Sequence, residues 1–280
     1  MFITEIEREI NSSVLSVKLK RKITARFALS ANVLPLVTKS LPFAELARRA
    51  LISNRGFDTA HSEIITGKSS NGTPLLNHQH AHYLATDEDD DGRIDHLMIY
   101  APRGFDKSDI VALGRMSSVN WRESRTGVRL VLTGLGTAAD FAGEDGNAVA
   151  LFQKSTVFRS ATPFSLPYFS TRGGGKPARP KDAPEGQLRR EFRKRGLPEP
   201  IRVAPTKGFH QTLAPIENVG EARPRFRWLE FACRRFNGTA GNGLAGFEIE
   251  FAPEDLDKIN VPLTLGFGSH FGLGLFLPVI

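Results

Sequence analysis

An α+β fold is the class this sequence predicts, and three features predict it. Short β-branched and aromatic runs, several of them alternating, recur at 23–30, 94–101 and 127–134, the pattern of half-buried strands. Between the first two, Phe43, Leu46, Ala47, Ala50 and Leu51 recur at helical spacing, with Glu45, Arg48 and Arg49 on the other face. Two strand-like arms, 80–85 and 94–101, flank the turn-forming cluster Asp87-Glu88-Asp89-Asp90-Asp91-Gly92, which reads as a β-hairpin.

In chain order, 1–22 is a charged lead-in that ends in a basic run, and 23–30 is the first strand. The segment 32–41 is loop-like, the helix at 43–51 follows, and 54–77 is polar and rich in Gly and Asn, hence loop. After the hairpin, Asp106 or Ser108 caps a second helix that runs to about Met116 with Ile110, Val111 and Leu113 on its apolar face. The strand at 127–134 closes the series. Strand, helix, strand, strand, helix, strand is the ferredoxin-like, or split βαβ, unit. The small, Gly-rich stretch 136–150 marks a domain junction. Beyond it, strands are expected at 150–160, 200–206, 225–236 and 245–251, and a basic helix at 185–195 is stopped by Gly196 and Pro198. No helical pattern matches every step of a second such unit, which is inferred from length and from the C-terminal tail. The expected division is 1–22 as lead-in or linker remnant, 23–148 as one ferredoxin-like domain and 149–280 as a second.

No run approaches the roughly 18–20 apolar residues of a membrane helix, and the start, MFITEIEREI, is unlike a secretory signal. A cytoplasmic location with no membrane partner follows by default. The single cysteine, Cys233, excludes an intramolecular disulfide and any cysteine-based metal cluster. The net charge of +7 suggests a polyanionic partner. Nine Lys/Arg against three acids fall between Arg172 and Arg195, so most of the excess is concentrated there. Arg172, Lys176 and Arg179 lie in a Gly/Pro arm, and Arg189, Arg190, Arg193 and Lys194 on the basic helix. Such arginines suit salt-sensitive phosphate contacts, although a solvated basic face explains them too. Tyr168 and Phe169 stand beside the arm as candidates for stacking on bases or for the core.

The hairpin holds four of the seven histidines. His78, His80 and His82 are expected on one strand face, with His96 roughly opposite His82 if the turn centres near Asp89. Imidazoles so placed suit proton transfer near neutral pH; the alternative is a solvated acidic turn with ordinary half-buried histidines. Asp87, Asp89, Asp91, Gly92 and Asp95 fall at positions 1, 3, 5, 6 and 9 of an EF-hand loop. Met98 stands where the bidentate glutamate belongs, and the flanks read as strands. A single His-x-His is weak evidence for zinc. The tail LGFGSHFGLGLF carries Gly266, Gly268, Gly272 and Gly274 around His270. It is either a backbone platform for RNA phosphates or a strand whose glycines permit close packing.

Three segments together, HQHAHYLATDEDDDGRIDHLMIYAPRGFD, STVFRSATPFSLP with its basic arm, and GFGSHFGLGLFLP, resemble the CRISPR repeat-processing endoribonucleases of the RAMP superfamily. The chain is similar in particular to the repeat-processing half of the fused five–six type protein of type I-U (I-G) systems, over roughly 24–280. It lacks that fusion's partner half, and is expected to be a stand-alone version or a fragment. The resemblance implies two tandem ferredoxin-like domains with a C-terminal glycine-rich loop, CRISPR repeat RNA as partner, association with other subunits of a type I interference complex, and no cofactor. It implies metal-independent cleavage of a precursor transcript by 2′-hydroxyl attack. His78, His80, Asp95 and His96 match the family's block, so His80, His78 and His96 are the catalytic candidates. His82 stands at a position expected to be aromatic and apolar, His270 sits in the matching glycine loop, and His61 lies where relatives of other subtypes keep a histidine. A non-catalytic guide-RNA-binding subunit is the rival reading.

Overall fold

The computed structural model describes residues 21–56, 62–75, 78–142, 149–170, 179–206 and 226–279. The chain is mixed α and β, built on two five-stranded antiparallel sheets. In order the first half runs β1 (Thr24–Ser30), α1 (Ser40–Arg55), the single turn α2 (Glu63–Thr66), β2 (His82–Thr86), β3 (His96–Tyr100), α3 (Lys107–Arg115), β4 (Ser118–Val119) and β5 (Val128–Gly136). The second runs β6 (Val157–Ser160), β7 (Phe164–Ser165), α4 (Pro184–Lys194), β8 (Arg202–Pro205), β9 (Leu244–Ala245), β10 (Phe247–Glu250), β11 (Leu263–Thr264) and β12 (Leu275–Pro278).

The first sheet has the order β2-β3-β1-β5-β4. The middle strands of the predicted series therefore stand at one edge, with the last strand on the far side of β1. Ala25 and Phe27 of β1, Tyr83 and Ala85 of β2, and Leu97 and Ile99 of β3 all point to one face, where Leu41, Phe43, Ala44, Ala47 and Leu51 of α1 cover them. Burying each large side chain in that layer contributes about 1.5–3 kcal/mol. Asp106 caps α3 as expected, accepting from the Asp109 amide in a capping box. The buried Asp109 and Asp106 in turn both take Arg55 at the end of α1, which ties the two helices together.

The second sheet has the order β11-β12-β6-β10-β8. Leaving β4 aside in the first sheet and β11 in the second, the two share one spatial order, fourth-first-third-second by sequence within each sheet. Where a second helix is expected between β10 and β12, the chain forms no α-helix but two 3₁₀ segments, Pro253–Lys258 and Ser269–Phe271, on either side of β11, which is why no helical period is visible there. Phe158, Phe164, Leu188, Phe192, Phe247, Ile249, Phe251 and Phe276 form its core. Two expected strands need correction. At 150–160 only Val157–Ser160 is strand, and Ala150–Phe152 is a 3₁₀ turn. The expected strand at 225–236 is a strap in its described part, with one 3₁₀ turn at Trp228–Glu230, held to α1 by Glu45 through Arg235 and the Phe236 amide.

The hairpin register also differs from expectation. His82 pairs with Tyr100 and Thr86 with His96, so the turn centres on residue 91 and spans 87–95. His82 and His96 thus sit at opposite ends of the hairpin, about 13 Å apart along the strands. The aspartates cause this. Asp87 accepts from the Gly92 amide at 2.8 Å, Asp95 from Glu88 at 3.0 Å and Asp91 from Arg93 at 2.7 Å, which winds a wide loop that a two-residue turn could not hold. Leu84 and Met98, on the hairpin face turned away from α1, pack against Phe141, Val149, Leu151, Phe152 and Leu275. The second half closes over that face and creates a cleft beside it.

Candidate functional site

Four histidines meet where the hairpin, the glycine-rich tail and α4 approach one another. The tail turns through the 3₁₀ turn Ser269–Phe271 between Gly268 and Gly272, both in the left-handed region. A Cβ on Gly266 would lie 2.7 Å from the Ser165 carbonyl, and one on Gly274 would overlap the Leu265 carbonyl, so these two positions exclude side chains. The amides of Gly272 and Gly274 donate to Ser269 and Pro163. In this structure the glycines let the loop fold tightly enough to push His270 against the start of β2.

The His270 ring lies 3.8 Å from His80 at 12° and 3.9 Å from His82 at 36°. Two rings at that spacing cannot share one face, so His80 and His82 sandwich it. His78 is placed differently. Its Nδ1 is 2.8 Å from Nε2 of His270, the planes differ by 6°, and the centroids are 5.0 Å apart. That separation is what two ring radii added to the N···N distance give, so the imidazoles lie edge to edge in one plane with an in-line hydrogen bond. His78 itself has φ 51 and precedes β2. The three hairpin histidines therefore do not share a strand face by alternation; they converge because the chain turns at His78.

Burial sets the protonation of the group. Desolvation first, then the Arg195 charge, lowers His78 to about 4; desolvation and then Arg48 bring His80 to about 4; desolvation and then Arg195 bring His82 to about 3. Burial, then the neighbouring imidazoles, holds His270 well below its ordinary value. All four are neutral at pH 7. His82 donates from Nε2 to the His78 carbonyl at 3.5 Å and accepts at Nδ1 from the Thr264 hydroxyl at 3.2 Å, so both its nitrogens are engaged. His80 packs against Gly67, where a Cβ would stand 2.7 Å from its ring, and its Nδ1 is buried without a partner.

A cavity of about 700 Å³ opens beside the cluster, lined by His78, His82 and Tyr100 from the first half, Glu191 and Lys194 of α4 with Arg195 just after it, and the 260–264 segment. Arg195 is largely buried. It donates to the Thr264 carbonyl at 2.6 Å and to the Ser269 hydroxyl at 3.3 Å, and lies 3.5 Å from Glu191. Two cations against one carboxylate leave the cleft positive. Burial raises the Tyr100 phenol, so it stays protonated as a donor. Arg195, Tyr100 and Thr264 were not singled out from the sequence. Arg195 carried a signal: it follows the last residue of α4, i+3 from Phe192 and i+4 from Glu191, on the side of the helix where both of those residues are buried.

Among the remaining sequence candidates, Arg189 pairs with Glu185 at 3.0 Å, Arg190 lies 3.7 Å from Asp182, and Arg193 pairs with Glu199 at 2.7 Å. Lys194 reaches the Tyr168 hydroxyl at 2.9 Å, with its ammonium and the Arg190 guanidinium each 5.2 Å from that ring. The buried Gln187 clamps the Tyr168 backbone, accepting from its amide and donating to its carbonyl, both at 3.0 Å; Phe169 beside it is exposed. Arg179 is exposed. Arg172, Lys176 and His61 lie outside the described residues. His96 is not in the cleft: it stands at the other end of the hairpin, 3.1 Å from Asp95 and 3.6 Å from Glu88. Asp87, Asp89 and Asp91 bring carboxylates within 4.8 Å of one another, but they bond the loop's own amides, and Met98, at the twelfth EF-hand position, is buried in β3. No described helix is long and apolar enough to cross a membrane.

No family model matches this chain, and no curated protein does. Among solved structures it is similar to a "CRISPR associated protein Cas6", at 9% identity and TM-score 0.41 over 93% of this chain and 99% of that one. It is also similar to the product of a Cas6-related gene from Pyrococcus furiosus, at 10% identity and TM-score 0.41 over 91% and 97%. A third is described as a RAMP protein binding different RNA substrates, at 12% identity and TM-score 0.40 over 92% and 98%.

Proposed function

We propose that this chain is a metal-independent endoribonuclease that binds CRISPR repeat RNA and cleaves the precursor within each repeat. The observation that carries it is a neutral imidazole, His78, beside two cations in one cleft. We read the two sheets as tandem ferredoxin-like units meeting near residue 149, with the cleft between them. The sequence resemblance set out above points to the same chemistry, with other subunits of a type I complex as further partners, and the cytoplasm is the location we read for it by default.

In this reading the ribose 2′-hydroxyl gives its proton to Nε2 of His78 as its oxygen bonds phosphorus. The P–O5′ bond breaks, leaving a 2′,3′-cyclic phosphate. Arg195 and Lys194 hold the charge that builds on the non-bridging oxygens, and the 5′-oxygen takes its proton from Lys194 or Tyr100. His80 supports the cluster from behind His270, and His96 stays outside the reaction. Arg179, Arg189, Arg190 and Arg193, with Arg172 and Lys176 of the arm, carry the RNA backbone away from the cleft.

The test is purified protein with labelled repeat RNA in EDTA, beside the same RNA with one 2′-deoxy sugar at the cleavage site. Single-site cleavage in chelator, abolished by the deoxy sugar, supports the reading. Tight binding without cleavage replaces it with the guide-holding subunit, whose histidines only brace the hairpin.

A further inference from the structure

We infer that His270 is a positioning residue that fixes His78 in its Nδ1–H tautomer, so that Nε2 is the basic nitrogen His78 brings to the cleft. The inference deepens the ribonuclease reading and rests on it for its catalytic consequence, but the tautomer stands on geometry alone. Nδ1 of His270 faces the Ala81 carbonyl at 3.4 Å. A carbonyl only accepts, so that nitrogen carries the proton. A neutral imidazole has one N–H, so Nε2 of His270 is a lone pair. Nδ1 of His78 lies 2.8 Å away in the same plane and must donate. His78 is then left with its lone pair on Nε2.

The chain of bonds has a fixed direction because it ends on a backbone oxygen that cannot reverse it. A free imidazole favours the opposite tautomer, with hydrogen on Nε2, which would blunt the base. His80 and His82, packed on the two faces of His270, prevent its ring from tilting out of the His78 plane. His82 cannot replace it as base, because Thr264 and the His78 carbonyl use both its nitrogens.

The test uses the full chain, ¹⁵N-labelled, with two-bond ¹H–¹⁵N spectra of the imidazoles at pH 7 and His78→Ala to assign the signal. In the native protein His78 is expected as Nδ1–H. In His270→Phe, which keeps an aromatic ring but offers no acceptor, the signal shifts toward Nε2–H. On repeat RNA the same variant is expected to lose about 10²-fold in kcat while its affinity for an uncleavable 2′-deoxy RNA is unchanged. His270→Gln, whose amide accepts from His78 and donates to Ala81, restores most of the rate and guards against a folding defect in the Phe variant. Nε2–H on His78 in the native protein overturns the inference. So does His270→Phe with tautomer and kcat both unchanged. A native protein that shows the Nδ1–H tautomer but cleaves no repeat RNA would sink the ribonuclease reading and leave the tautomer assignment standing.

Discussion

At the scale of single residues, the four clustered histidines are not equivalent, and their bonds separate them. His78 has the free lone pair, His270 aims it, and His82 is satisfied on both sides. His78→Ala is therefore expected to lower kcat by about 10²–10⁴-fold with RNA affinity kept, while His96→Ala leaves the rate unchanged. Equal losses in both would return the catalytic role to the hairpin as a whole. The pH profile gives an independent check. An ordinary histidine base fails below its pKa near 6.5, but His78 is lowered to about 4. The plot of kcat/KM should stay flat from pH 8 down to about 5 and fall only below that. The limb of kcat should lie at higher pH, because a bound phosphodiester stabilises the imidazolium. A limb near 6.5 in the free enzyme would contradict the burial of His78.

At the scale of elements, α4 and the Arg195 that follows it carry cations with different work. Arg193 is exposed and paired with Glu199, whereas Arg195 is buried and bridges Thr264 and Ser269. Arg193→Ala is expected to reduce the salt slope of RNA binding by about 0.7, the share of one phosphate on a single strand, and to leave kcat alone. Arg195→Lys should lower kcat, since one ammonium cannot span both partners as the guanidinium fork does. Binding and cleavage assays across a salt series separate the two. The glycine tail acts as an element as well. Gly274 has φ 62, and a Cβ there would meet the Leu265 carbonyl. Gly274→Ala should destabilise the protein by more than about 1 kcal/mol, read as a lower urea midpoint, and should misplace His270.

At the scale of the whole molecule, the histidine cluster joins the first half to the C-terminal tail, so its titration is a titration of the joint. His78, His80 and His82 have folded values of about 4, 4 and 3 against 6.5 unfolded. Between those limits the unfolded chain binds more protons, so stability rises with pH. The contribution is complete above pH 6.5 and is lost as pH falls through the window to about 4, at up to about 1.4 kcal/mol per pH unit for each group. The melting temperature should drop steeply between pH 6.5 and 4.5. His82→Phe, which keeps a ring against His270, should flatten that drop, and an unchanged slope would place the acid sensitivity elsewhere.

The sequence by itself determined the longer elements of the first half, but not the single turn α2 inside a stretch read as loop or the two-residue β4, which are too short to show a period. Apolar period marked β1, α1 and the hairpin arms because each buries one face, and Asp106 announced α3 because helix amides need a local acceptor. It also marked His78, His80, His82 and His96 as a hairpin set, and His270 separately in the glycine-rich tail. Tertiary structure alone decided which of them meet. The aspartate loop is set by side-chain-to-backbone bonds rather than by period, so the register that parts His82 from His96 was not legible. The short 3₁₀ turn after β10 has no period to read. The roles of His78, His270 and Arg195 depend on contacts across more than 70 residues of chain, and on a burial that leaves one nitrogen unspent. Such contacts leave no local pattern, because what selects them is the fit of two packed surfaces and not the propensity of either segment.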